Sequence, residues 1–345
     1  MEDLRLDEIV EYGQNVGRGN LLGVEPYMSA ADYASQETFQ TRLAGYLSVA
    51  AQRGWLGDRT VVVWPEYIAA WLVAAAEKGA VYRAPTLKAA MQSLILSHPL
   101  RFARHALAAV ERDRIVASLF RMKAAAMATI YQATFGGLAR KYSATIVAGS
   151  IVLPSPRVRD GQVTASDGPL YNVTAVYRPD GLAHATLVRK AFPIGIELPF
   201  TAAAAMAELP AFDTPAGRLG VLICADSWYP AAYDRLREHG VALIAVPSDG
   251  MTPQQWASPW RGYDGASAPP DVDPADVGRL TEAQAWRKYA LAGRIALAGA
   301  RHGINVFLRG ELWDLAAHGG CATVVDGDLV SEGKGSGAAL LNLWL

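Results

Sequence analysis

The amino-acid sequence predicts an α/β fold. Short apolar runs alternate with longer stretches of helical periodicity, the pattern that packed layers of helix and sheet require. No linker or low-complexity segment divides the 345 residues convincingly, so one domain spanning 1–345 is expected. The composition, 51% hydrophobic and 19% charged, supplies enough apolar mass for a core of that size.

Candidate strands fall at 20–28, 60–65, 144–153, 171–177, 184–191, 219–224, 241–247, 304–310, 321–326 and 338–345. Between the fourth and fifth lies "RPDG", a turn sequence, so those two strands should form a hairpin. Pro230 suits the first turn of a helix that Gly240 would close. Thr281 and Gln284 stand at capping-box spacing and open a helix expected to run to about Gly303.

Two segments look like additions. Residues 79–125 mix helical apolar spacing with basic residues; within 83–123, eight Lys or Arg oppose Glu111 and Asp113, a local balance of +6. A basic amphipathic helix can lie on an anionic membrane, but Pro85 and Pro99 interrupt this one, so a helical insertion packed on the body or on another subunit is expected instead. The loop 248–280, rich in Pro, Gly and Asp, carries Trp256, Trp260 and Tyr263 and reads as a pocket wall or lid.

The totals also exclude partners. A formal charge of −1 gives no reason to expect nucleic acid. Two cysteines, Cys224 and Cys321, are too few for a disulfide framework and fit a reducing compartment. The start "MEDLRLDEIVEYGQN" lacks the basic and apolar regions of a signal peptide, and no apolar run approaches the roughly 20 residues of a membrane span, so a cytoplasmic protein is expected. The six histidines show no metal spacing, and "EGKGSG" at 332–337 lacks a Walker pattern. Neither metal nor cofactor is expected.

The chemistry-bearing residues sit where strands end. Cys224 closes the apolar run "LGVLIC" a few residues before Pro230, at the sheet edge where open α/β folds bind ligands, and the nearby helix N-terminus should favour thiolate. Cysteine alone is more often a small buried hydrophobe. Glu66 follows the strand "VVVWP", and Lys190 ends "ATLVR". A helix-cap carboxylate and a surface lysine would read the same way. Together, however, "PE" at 65–66, "RK" at 189–190 and "GRLGVLICADSWYP" at 217–230 resemble, in chain order, the three motifs of the nitrilase superfamily, the carbon–nitrogen hydrolases. The resemblance covers about 20–75 and 125–345, and its cysteine motif is the most specific part.

That resemblance implies a four-layer α-β-β-α sandwich, association of copies into a homo-oligomer, and a hydrolase acting without cofactor. Cys224 would be the nucleophile, Glu66 the general base and acid, and Lys190 with the N–H of Ala225 the oxyanion stabilisers. Glu197, seven positions after Lys190, would position substrate and lysine, although the family spacing is about one residue longer. Asp226, in "CADSW", looks more like the amidase and carbamoylase branches than the nitrile-cleaving one. The implied substrate is a small amide or N-carbamoyl compound, with Tyr67, Ala225, Trp228 and Tyr229 as candidate substrate contacts. Alternatives are a nitrilase, an N-acyltransferase, whose family branch carries membrane helices, and a non-catalytic scaffold.

Overall fold

A computed structural model describes residues 3–317, 320, 322–332 and 336–345. Cys321, His318 and the middle of the 332–337 loop therefore lie outside the described residues.

Two six-stranded sheets form the centre. In the first, the strands run in the order Leu6–Tyr12, Ala338–Trp344, Asn20–Glu25, Thr60–Val63, Thr145–Val147, Val176–Tyr177. In the second they run Ala211–Thr214, Gly217–Val221, Leu243–Ser248, His302–Phe307, Ala322–Val325, Asp328–Glu332. Each has a parallel middle, 20–25 with 60–63 with 145–147 and 217–221 with 243–248 with 302–307, flanked by antiparallel neighbours.

Side-chain alternation along these strands builds the layers. Leu21, Val61 and Val63 point toward the second sheet and share a core with Val221, Ile244, Val246, Ile304 and Val306. Leu22, Val24 and Val62 point the other way, onto helices Gln36–Gln52 and Arg114–Tyr142 through Phe39, Leu43, Met127, Tyr131 and Phe135. The sheets approach closely at Gly23, where an added Cβ would stand 2.5 Å from Ile304 and 2.8 Å from Val306. The outer face of the second sheet is covered by helix Pro230–Glu238 and the turn after it in the fold, with Leu236, Leu291 and Ile295 against Gly220 and Gly303. The result is the expected α-β-β-α sandwich, and both faces of each sheet are buried, which explains runs that are apolar without alternation.

Several elements follow the sequence. Pro230 occupies the first turn of its helix, and the Thr281–Gln284 capping box is formed. The hairpin predicted around "RPDG" pairs Thr174 with Val188 and Val173 with Arg189. Other expectations need correction. The strand expected at 144–153 is broken into Thr145–Val147 and Ile151–Pro154 by Gly149 at φ +61, where a Cβ would lie 2.2 Å from the Pro65 carbonyl. The helix expected from Thr281 to Gly303 ends at Tyr289; Ala290 leaves the helical region, and two short turns, Leu291–Arg294 and Ile295–Ala298, follow. Burial drives this break: Arg294 turns inward, its Nε donating to the Tyr289 carbonyl at 2.7 Å, and Leu291 and Ile295 enter the core.

The 79–125 segment forms three helices, Gly79–Tyr82, Leu87–Ser97 and Pro99–Ala108, before Asp113 caps the long Arg114–Tyr142 helix. Pro99 opens its helix at the first turn instead of interrupting one. Ala90 and Leu94 pack on Ala74, Val81, Leu119 and Met122, whereas Pro99–Ala108 buries no residue of its own. No helix among the described residues is long and apolar enough to cross a membrane.

Candidate active site

Three turns converge, two of them at the carboxyl ends of strands in the six-stranded sheets and one after the strand Val188–Arg189 of a separate three-stranded antiparallel sheet. The first follows Thr60–Val63. Its Glu66 N–H donates to the Ser248 carbonyl of the opposite sheet at 3.1 Å, and Tyr67 takes a left-handed φ of +58 while its N–H donates to Ser150 Oγ at 2.8 Å. The kink at Gly149 brings Ser150 there. The second turn carries Lys190, whose N–H donates to the Asn172 carbonyl at 2.9 Å. In the third, Cys224 begins a tight turn to Trp228 at φ +48, a conformation that side chains other than glycine rarely adopt. A strained turn at this point lifts the side chain off the strand end and is characteristic of functional positions.

These turns bring the predicted residues together. Lys190 Nζ donates to Glu66 Oε1 at 2.8 Å and to Glu197 Oε2 at 2.6 Å, with all three side chains buried. Two of the three ammonium donors are thereby occupied. The Cys224 thiol stands near enough to Glu66 to pull its pKa down. Despite the unusual spacing from Lys190, Glu197 closes the set: its carboxylate accepts from Lys190, Ile194 N–H, Asn172 Nδ2 and the Tyr67 hydroxyl.

Electrostatics separates the two glutamates. Burial raises the Glu66 pKa, and the Glu197 charge adds to it, outweighing the pull of Lys190. For Glu197, burial pushes upward too, but Lys190 and its other donors prevail and the pKa falls. Lys190 is drawn down by burial, yet the charges of Glu197 and Glu66 more than offset this and hold it cationic. Cys224 corrects an expectation. Burial and the Glu66 charge push its thiol well above the ordinary value, despite Lys190 and the Asp249 N–H pulling down, so thiol rather than thiolate is favoured. The helix at Pro230 starts too far along the chain to reverse that.

The other candidates divide. Tyr67 joins the cluster through Glu197, and Ala225 directly follows the cysteine, half-buried. Trp228 and Tyr229 are buried in an aromatic group with the 248–280 loop instead. Trp228 stacks on Trp260 at 5.9 Å, Tyr229 stacks on Phe192 at 3.6 Å, and the Tyr263 hydroxyl donates to the Trp228 carbonyl. That loop thus folds onto the Cys224 turn. Sequence reasoning missed Asn172, whose amide spans Glu66 at 2.8 Å and Glu197 at 3.0 Å. It also missed Asp249, the residue after strand Leu243–Ser248. Asp226 was noticed only as a motif letter; its carboxyl accepts from the N–H groups of Ala191, Phe192 and Ile223, fastening the Lys190 turn to the Cys224 turn. No group of three or more potential metal-ligating His, Cys, Asp or Glu occurs among the described residues.

A four-layer sandwich with a lysine, two carboxylates and a thiol gathered at its strand ends defines an α/β enzyme. The carbon–nitrogen hydrolase model matches residues 31–265, and the chain belongs to that family. Among solved structures it is similar to a mutant of the amidase from Nesterenkonia sp. AN1 with acrylamide added at its active-site cysteine. The two are 13% identical with a TM-score of 0.55, over 95% of this chain and 93% of that one. It is similar also to a carbon–nitrogen hydrolase from Helicobacter pylori G27, 15% identical with a TM-score of 0.56, over 94% and 88% of the respective chains. Comparison with curated proteins gives no match.

Proposed function

We propose that this carbon–nitrogen hydrolase cleaves a small amide or N-carbamoyl compound through a thioester on Cys224. The observation that carries the reading is one lysine bonded to two carboxylates beside the Cys224 turn, Lys190 Nζ to Glu66 at 2.8 Å and to Glu197 at 2.6 Å, with burial raising Glu66 and Lys190 holding Glu197 down. Paired carboxyl groups pushed apart by their surroundings are the pattern of acid–base assignment. Glu66 takes the Cys224 proton as Sγ attacks the carbonyl carbon. The oxyanion is held by the remaining donor of Lys190 and by the N–H of Ala225. Glu66 returns the proton to the departing ammonia or amine, then takes one from water, whose oxygen displaces sulfur and releases the acid. A thiol kept protonated until substrate arrives suits this order, since the base then acts within the reaction.

Asp226 and the amidases among the structural neighbours support the amide reading over nitrile cleavage. We further read the chain as one domain, cytoplasmic and homo-oligomeric, working without cofactor. The test is intact mass of wild type and Cys224→Ala after exposure to amides, carbamoyl amino acids and nitriles, with ammonia measured in parallel. An acyl adduct on wild type alone supports the reading. Turnover by Cys224→Ala, or no adduct and no ammonia from any compound, refutes it.

A further inference from the structure

Four carboxyl groups feel the single lysine of this site: Glu66 and Glu197 are bonded to it, Asp226 fastens two turns, and Asp249 is unaccounted for by the reaction. Asp249 follows Ser248 at the end of the strand beside the one that delivers Cys224, and the Ser248 carbonyl accepts from the Glu66 N–H at 3.1 Å. That bond fixes the strand end at the rim of the site. Its half-buried carboxylate accepts from the N–H of Gly250 at 3.0 Å and makes no ion pair among the described residues. Lys190, the cation that acts on it, is already bonded to Glu66 and Glu197.

The neighbourhood is suited to a positive guest. Ser248 stands opposite Phe307 in the strand register, and Phe307 meets Trp256 at 5.3 Å and Trp286 at 5.1 Å, both half-buried. Aromatic faces attract cations through their quadrupoles.

We propose that Asp249 determines specificity, selecting amides or carbamoyl compounds whose non-reacting end carries an organic cation such as an alkylammonium or guanidinium group. This deepens the reading of Cys224 as nucleophile and rests on it. Burial and the Glu66 charge hold the Asp249 carboxyl up at about 8, so an arriving cation exchanges with its proton.

The test needs no turnover. Cys224 is modified with three methanethiosulfonates, carrying trimethylammonioethyl, sulfonatoethyl or methyl groups, and the rates are read by mass. The expected result is faster modification by the cation than by the anion, and a cation-to-methyl rate ratio that falls about tenfold in Asp249→Asn, the scale of one lost charged contact. Asp249→Glu should restore most of it. An unchanged ratio in Asp249→Asn overturns the proposal. So does an equal slowing of all three reagents, which would make Asp249 a positioning residue for the thiol. Cys224 closed to every reagent in the folded protein also overturns it. Amide turnover with an unchanged ratio defeats selection alone; a shifted ratio without turnover defeats only the reaction.

Discussion

Replacing Glu197 by glutamine tests the site's internal logic most directly. Its carboxylate receives four donors, two on each oxygen: Lys190 and Ile194 on Oε2, Asn172 and Tyr67 on Oε1. Four lone-pair sites are therefore filled. Glutamine can offer one carbonyl oxygen, best spent on Lys190 and Ile194, and must turn its NH2 toward Asn172 and Tyr67. The Tyr67 hydroxyl can rotate to accept, but the Asn172 amide still faces a donor. One neutralised charge-assisted bond and one donor left without an acceptor come to about 3–4 kcal/mol. At 1.36 kcal/mol per decade, kcat/KM should fall roughly 10²–10³-fold. The pH profile adds a sign. Glu66 must be ionised to act as base, and Glu197 raises its pKa. Removing that charge, and leaving Glu66 the one carboxylate bonded to Lys190, moves the acidic limb of kcat/KM to lower pH. Steady-state kinetics on an amide substrate between pH 4 and 9 reads both effects. A rate within threefold of wild type, or an acidic limb moved upward, would refute the arrangement described.

Two further predictions concern stability. Burial raises the Asp226 carboxyl to about 7 from 3.8, above its unfolded value, so its contribution is fully present below the unfolded pKa and is lost as pH rises through about 7. Asp226→Asn keeps an acceptor for Ala191 and Phe192 without titrating, so from pH 5 to 7 the wild type should lose about 2 kcal/mol relative to the variant in urea unfolding; a constant difference would contradict the assignment. Arg309 and Glu25 form an ion pair with neither side chain exposed. Arg309→Ala leaves the carboxylate buried alone and should cost about 3–5 kcal/mol, most of it recovered in Arg309→Met with Glu25→Gln; a single variant as stable as wild type by urea unfolding would deny the pair its role.

Local chemistry made parts of this legible. The capping box at Thr281, the first-turn Pro230 and the turn "RPDG" are readable because each acts within a few residues. The sudden stop of apolar runs marked Glu66, Lys190 and Cys224 as strand-end residues, and only the resemblance of their three motifs, in chain order, to the family's set them apart from a cap carboxylate, a surface lysine and a buried cysteine. Asn172 and Asp249 were not, because a polar residue inside or just past a strand carries no periodicity, and only tertiary folding says whom it faces. The helix end at Tyr289 was hidden for a related reason: the break goes with the burial of Arg294 and with Gly293 packing on the Lys288 carbonyl, where a Cβ would lie 1.9 Å away, and both are tertiary contacts. The strand Leu6–Tyr12 was overlooked because "LDEIVEY" breaks the apolar–polar alternation: exposure alternates along it, but Glu8 falls on the more covered side and Ile9 on the exposed one. Its partner, Ala338–Trp344, lies at the far end of the chain.

The site is divided among the sheets: Glu66 follows a strand of the first six-stranded sheet, Cys224 a strand of the second, Lys190 the strand Val188–Arg189 of a separate three-stranded sheet, and the Glu66 N–H reaches across to Ser248. Glu66 and Lys190 alone are 124 positions apart. Contacts so distant in sequence must wait for loop closure and form late in folding. A nascent or half-unfolded chain would therefore hold a thiol with neither base nor lysine beside it. Recovered acylation of Cys224 by an amide can serve as a clock for the last step of folding, sheet meeting sheet, where a spectroscopic signal from either sheet would report too early.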